Sequence, residues 1–374
     1  MTLLTDSKLA EIANNNFNLD FVQARLVQQA SVQPRMYEGS GSVFQDASGK
    51  LQLKLYCRVE NAEEEFSAAF IGQTLTPGQL VGPDHYYSFE GVDLTGQTWT
   101  ASDIAIDVQT GVSAGGSVVC ARRLRQIQSD SVLTSVSNEQ AVLIVPGTFR
   151  VPFTHAQPGT GEKGLSACTL ELGDAATASV KTKDGALIVV LTLTNQNSKD
   201  YTLRVLEALG IAIGALLRPQ VEVILANGQR RQVVSSLGND AARSHALVPA
   251  VPTGSPGGFR DFQAFVVKFL AAFSGPYDQL AGYWFRVLSA FGNSLENQAL
   301  VLTTAIEGVL KAYFPKEAKP DAEYLRQLAE TKPVVRELTI GQRAQQQLLN
   351  SLGNAKKPTA ANALHALETQ GRIP

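Results

Sequence analysis

Up to residue 250 the apolar positions mostly alternate with polar ones in short runs; beyond residue 258 they recur at every third and fourth position. Alternation places successive side chains on opposite faces of a strand, whereas the second spacing lines one face of a helix. Leu51, Leu53, Leu55 and Cys57 share a face of a predicted strand over 51–59, which pairs across Asp46-Ala-Ser-Gly49 with a strand over 39–44. Residues 86–92 and 97–102 flank Asp93-Leu-Thr-Gly96 in the same way. Further strands are expected at 104–108, 117–124, 141–145, 167–172 and 178–182. The run 186–194 opens without a polar break, the pattern of a strand covered on both faces. Residues 220–226 and 232–235 form a hairpin about Asn227-Gly228, a pair that accepts the positive φ angles of a type I′ turn. A short helix containing Leu9, Ile12 and Ala13 precedes the strands. A second helix, over 199–217, is inserted among them, capped by Asn197 or Ser198 and stopped by Pro219.

The two regimes meet at Val251–Gly258 (VPTGSPGG), where Pro and Gly favour neither helix nor strand. Beyond it Phe262, Phe265, Val266, Phe269, Leu270 and Phe273 fall on one helical face, and Leu280, Tyr283, Trp284, Val287, Leu288 and Phe291 on another. Asn293 and Glu296 fit a capping box opening a helix that runs to about Phe314. Apolar residues surround its axis, the mark of a central helix. Helices over 321–329, 340–352 and 359–369 complete the set. The fold class read from this is α+β: a β-rich, sandwich-like module over 1–250, a linker at 251–258, and an all-helical bundle over 259–374.

A chain of 374 residues, 44% apolar and 18% charged, has room for two or three soluble domains. The N-terminus lacks a basic stretch followed by an apolar one, and the most apolar run, 205–217, is too short to span a bilayer and contains Glu207. No membrane association is expected. Cys57, Cys120 and Cys168 are widely spaced, in no CxxC pair, and odd in number, which reads as free thiols in a reducing cytoplasm. The net charge of −2 excludes a strongly basic nucleic-acid domain, although the helical part carries a small excess of cations.

No GxSxG, HExxH or Walker motif occurs, and Gly159-Thr-Gly-Glu-Lys-Gly164 lacks the Gly-Lys-Ser/Thr order of a phosphate loop. Neither a metal nor a cofactor is expected. His85 follows Asp84, a pair able to orient an imidazole for proton transfer, although no nucleophile lies nearby in sequence. Arg122, Arg123 and Arg125 on or beside one strand, with Arg230 and Arg231 after a hairpin tip, are candidates for contacting nucleic-acid phosphates; as cations on an exposed strand edge they also guard against edge pairing.

The segment Ser294–Phe314 (SLENQALVLTTAIEGVLKAYF), with residues 340–373, resembles the helical bundle of bacterial HEPN domains, and the β-rich front with such a bundle resembles ApeA-type defence proteins. The resemblance covers roughly the last 115 residues and rests on helix pattern. It implies a defence protein whose β-rich module senses a phage or host ligand and whose bundle dimerises or binds RNA. HEPN nucleases cleave through Arg-x4–6-His on a last helix, and here that spacing occurs only in Arg150-Val-Pro-Phe-Thr-His155, in the β-rich part. The family's helix would lie beyond Pro374, and on this reading a longer natural product is an RNase. Glu307 matches an acidic position on the family's central helix. Three readings are carried forward: a HEPN-like defence protein without its catalytic motif, a non-enzymatic interaction protein, and an enzyme using His85, Arg150 or His155. The first two share a homodimer built through the helical part, with the Phe-rich first helix at its interface.

Overall fold

The computed structural model describes residues 11–371 apart from 13, 31, 59–81, 111–115, 133–138, 153–166, 174–175, 184, 195–197, 238–248, 252–257, 273–278, 321 and 358. The chain forms two compact units, Met1–Pro276 and Tyr277–Pro374.

Fourteen strands occur among the described residues of the first unit. They are β1 (Asn18–Gln28), β2 (Met36–Gln45), β3 (Leu51–Arg58), β4 (Tyr87–Asp93), β5 (Thr98–Ile104), β6 (Asp107–Thr110) and β7 (Gly116–Leu124). Then come β8 (Gln126–Val132), β9 (Glu139–Pro146), β10 (Ala167–Glu171), β11 (Ala176–Lys183), β12 (Ala186–Leu193), β13 (Val221–Ala226) and β14 (Gln229–Ser235). They make one hydrogen-bonded sheet in the order β10-β11-β12-β9-β13-β14-β8-β5-β4-β1-β2-β3-β7-β6. The protein is thus of mixed α+β class.

Registers explain the core. Ile127, Val234, Val221, Ile144 and Ile188 lie directly opposite one another across β8, β14, β13, β9 and β12. They pack with Phe21, Leu26, Leu53, Leu55, Phe89 and Trp99 from β1 and β3–β5 in a single apolar cluster. On the opposite face of β9–β12 lie Leu143, Leu187, Val189 and Leu191, all fully buried. Helix α1 (Ser198–Ile213) packs against β9 and against α2 (Gly258–Ala272), and α2 packs against β10. β12 is therefore buried on one face, at Leu187, Val189, Leu191 and Leu193, and half-buried on the other, at Ile188 and Val190, short of the full cover its unbroken apolar run predicts.

α1 ends earlier than the expected stop at Pro219. Gly214 takes φ 77°, and the bonds Ala215 N–H to Gly210 O (2.9 Å) and Gly214 N–H to Ile211 O (3.2 Å) close a Schellman turn. The larger departure concerns β1, for which the sequence shows no period. Its pairing with β2 and β4 shifts register between Phe21 and Ala24, so the buried residues are Phe21, Ala24 and Leu26. A bulge changes the parity of alternation and hides the strand. The boundary also moves. The segment 252–257 lies outside the described residues, and α2 belongs to the first unit because Phe262, Val266 and Phe269 are buried there.

The second unit contains α3 (Gln279–Ala290), α4 (Leu295–Tyr313), α5 (Ala322–Glu337), α6 (Gln342–Asn354) and α7 (Ala360–Thr369). Ser294, rather than Asn293, caps α4 and accepts from Asn297 N–H. α5 runs past the expected end at 329 and through Pro333. α4 packs against α3 on one side and α7 on another, where Leu310, Phe314, Ala363 and Leu367 meet. It is not enclosed: Leu295, Leu300, Leu302 and Ile306 remain exposed.

Candidate functional site

Two hairpins fix the strands around the site, and they are built alike. In both Asp46-Ala-Ser-Gly-Lys50 and Asp93-Leu-Thr-Gly-Gln97 the Asp Oδ1 accepts from the N–H and hydroxyl two residues on and from the N–H four residues on. Oδ2 accepts from the side chain six residues on, Gln52 Nε2 in one and Trp99 Nε1 in the other, both at 3.0 Å. Gly49 and Gly96 take φ 78° and 83°, angles that favour glycine. Burial pushes both carboxyls up, but the four hydrogen bonds outweigh it and hold Asp46 at about 2 and Asp93 below its ordinary value.

The second hairpin joins β4 to β5, and β5 then carries a bulge. Tyr87 pairs with Ile104 but Phe89 with Ala101, so β5 has one residue more than β4 over that stretch. Asp103 sits there at φ 57°, a left-handed conformation that L residues rarely adopt. The Gln29 amide is oriented to hold it: its carbonyl accepts from Asp103 N–H and Ser88 O–H, and its NH2 donates to Asp103 Oδ1. A bulge increases local twist. β5 accordingly meets β8 at one residue pair only, Thr100 opposite Gln128.

Where the two strands part, the face of the sheet away from the core holds a cavity of about 420 Å³. Arg25, Glu90, Thr100 and Gln128 form a continuous row across β1, β4, β5 and β8, with Ser88 and Gln126 beside it. Arg25 lies 4.0 Å from Glu38 Oε1, both side chains more than half exposed. Gln128 is positioned by Arg231, whose Nη2 donates to its Oε1 at 2.6 Å. The floor includes Val27 and Ala101.

The residues singled out from sequence do not come together. Arg231 borders the trough and lies opposite Asp130, while Arg230, on the other face of β14, has a buried Nε without a hydrogen-bond partner among the described residues, and burial lowers its pKa. Arg125 stands at the opposite end of β8, where its carbonyl accepts from Ser236 N–H. That is roughly 20 Å from Arg230, six residues along the paired strands at about 3.3 Å per residue. Arg122 and Arg123 lie in β7, their side chains outside the described residues. His85 Nδ1 is 3.1 Å from Asp84 Oδ1 at a partly exposed turn. Arg150 is exposed in a loop, and His155 lies outside the described residues. Glu307 makes an i,i+4 pair with Lys311 at 2.6 Å on the surface of α4. Among the described residues no group of His, Cys, Asp and Glu could hold a metal ion, and no helix is long and apolar enough to cross a membrane.

In the second unit a groove of about 540 Å³ runs between α3 and α4, lined by Tyr283, Arg286, Ser289, Asn297, Leu300 and Thr304. The exposed side of α4 carries Leu295, Ala299, Leu302 and Ile306 at alternating steps of four and three, a single stripe. The Phe-rich α2, by contrast, buries Phe262, Val266 and Phe269 inside the first unit. No family model, no curated protein and no solved structure matches the chain.

Proposed function

We propose that this protein is a two-part binding protein, in which the β-rich unit receives a small ligand in the β1-β4-β5-β8 trough and the helical unit associates with a second copy. One observation carries the reading: a bulge with a left-handed non-glycine residue opens the sheet where side chains able to donate and accept hydrogen bonds converge. Strained backbone persists only where its surroundings enforce it, and it concentrates at functional sites. The α4 stripe supports the second half of the proposal, since contiguous exposed apolar surface is uncommon on a monomer.

The setting we propose is cytoplasmic defence, from the likeness of 294–314 and 340–373 to HEPN bundles. The β-rich unit, closed in sandwich-like fashion about its core, is then the sensor of a phage or host signal, and the bundle is the dimerising or RNA-contacting part. Fragment soaking tests the ligand half. Small polar fragments are expected to cluster in the trough, and Thr100→Trp, which fills it, abolishes those hits. Fragments that avoid the trough, or that survive Thr100→Trp, refute it. Light scattering tests the other half: a dimer at micromolar concentration becomes a monomer with Leu302→Glu and Ile306→Glu together.

A further inference from the structure

We infer that the trough takes a neutral, polyhydroxylated ligand, a saccharide of one or two rings. This inference rests on the reading of the trough as a ligand site and goes on to name what fills it. The lining decides the class by its charge balance, its hydrogen-bonding inventory and its shape.

Charge comes first. Among the described residues Arg25 is the one guanidinium lining the cavity, and Glu90 lies directly opposite it on the neighbouring strand while Glu38 lies opposite on the other side. Two carboxylates flanking one cation leave no positive field for a phosphate or carboxylate ligand. Arg231, which borders the trough, has Asp130 directly opposite it on β8, so it too is flanked by a carboxylate.

The remaining groups suit hydroxyls. Thr100 can both donate and accept, Ser88, whose proton goes to the Gln29 carbonyl, can accept, and Gln126 adds an amide with both capacities. Gln128 has its Oε1 engaged by Arg231, leaving its NH2 as the donor. Glu90 is an acceptor beside these donors, so neighbouring ligand groups can act as donor to one and acceptor from another. Adjacent hydroxyls on a sugar ring offer that combination. Val27 supplies apolar contact for the C–H face of such a ring. The volume equals that of about 14 waters at ~30 Å³ each, room for one or two rings.

A nucleobase fits worse. It needs an aromatic face to stack on; among the described residues the one ring at the cavity, Phe89, is only 2% exposed and packs edge-on against Phe21 inside the core.

The test is titration of the full chain with glucose, galactose, N-acetylglucosamine and maltose, alongside glucose 6-phosphate and AMP, read by side-chain amide shifts of Gln126 and Gln128. One neutral saccharide is expected to shift both amides, with an affinity unchanged by added salt. Glu90→Gln and Gln128→Leu should each weaken it at least tenfold, while circular dichroism shows both variants folded. Stronger binding of glucose 6-phosphate or AMP, or an affinity that falls with salt, overturns the saccharide class and leaves the trough as a ligand site. Fragments filling the trough while every saccharide fails has the same meaning. Silence from saccharides and fragments alike defeats both readings.

Discussion

The two Asp-centred hairpins allow a matched pair of substitutions whose outcomes should differ. Asn in place of Asp93 keeps one carbonyl oxygen for Thr95 and Gln97 but sets an NH2 against the Trp99 indole N–H, which can only donate. Turning the amide over merely moves the clash to the backbone donors. Trp99 is 2% exposed, so its N–H is left buried without an acceptor. That orphan costs ~1–3 kcal/mol, and the loss of charge weakens the surviving bonds, giving about 2–4 kcal/mol in all for Asp93→Asn. At Asp46 the partner six residues on is Gln52, whose amide can rotate to present its carbonyl to the new NH2. Asp46→Asn should therefore cost no more than about 1 kcal/mol.

Urea unfolding followed by Trp99 fluorescence, in a Trp284→Phe background, measures both. Equal costs, or a cost below about 1 kcal/mol for Asp93→Asn, would refute the orphaned-donor reasoning. The pH dependence gives a second check. Both carboxyls have folded values below the ordinary 3.8, so their stabilisation is complete above that value and is lost as pH falls through the folded pKa, about 2 for Asp46. The gap between wild type and Asp93→Asn should therefore narrow on acidification, because the wild-type carboxylate becomes protonated while Asn does not titrate.

Two further outcomes follow from packing. A Cβ at Gly308 would collide with the Tyr283 ring, so Gly308→Val should loosen α3 from α4 by about 1–3 kcal/mol; faster hydrogen exchange in both helices reads this, and Tyr283→Ala in the same chain should recover much of the loss. Cys168 is buried and its thiol is pushed up to about 12 by that burial, so in a Cys57→Ser, Cys120→Ser background it should react with a disulfide reagent only when the unit is unfolded; rapid labelling of the native protein would contradict its placement.

What was legible in the sequence follows from periodicity. Leu51, Leu53, Leu55 and Cys57 alternate without interruption, and their strand lies where the pattern puts it. Asn227 and Gly228 take φ 52° and 69° at the tip of the β13–β14 hairpin, as their chemistry requires. β1 and the β5 bulge were illegible for one shared reason: an added residue changes the parity of alternation, and no local residue type announces it. The trough was hidden for a different reason. Arg25, Glu90, Thr100 and Gln128 are far apart in sequence and polar on a solvent face, so only cross-strand register brings them into a row. The repeated Asp-x-Ser/Thr-Gly turn, by contrast, is written in the sequence at Asp46 and Asp93, with its donor six residues on at Gln52 and Trp99. Alternation sends Arg230 and Arg231 to opposite faces of β14, a separation visible in their adjacency.

The same parity rule links stability to the site. Asp93 pins β4 to β5 at the turn, setting Val92 opposite Thr98 and Glu90 opposite Thr100. The extra residue is then absorbed further along, between Ala101 and Ile104, where Gln29 holds Asp103 in its left-handed conformation. If the turn alone were loosened, β5 could slip by one residue, relieving the bulge and bringing its outward hydroxyls to the core face. Trp99 opposes that slip, because its ring is buried and its N–H is tied to Asp93. The hydrogen bond that stabilises the hairpin therefore also keeps Thr100 on the trough side, opposite Gln128. Asp93→Asn should accordingly weaken ligand binding at the trough even under conditions where the chain remains folded, while Asp46→Asn, on a hairpin that does not carry the bulge, should leave it intact.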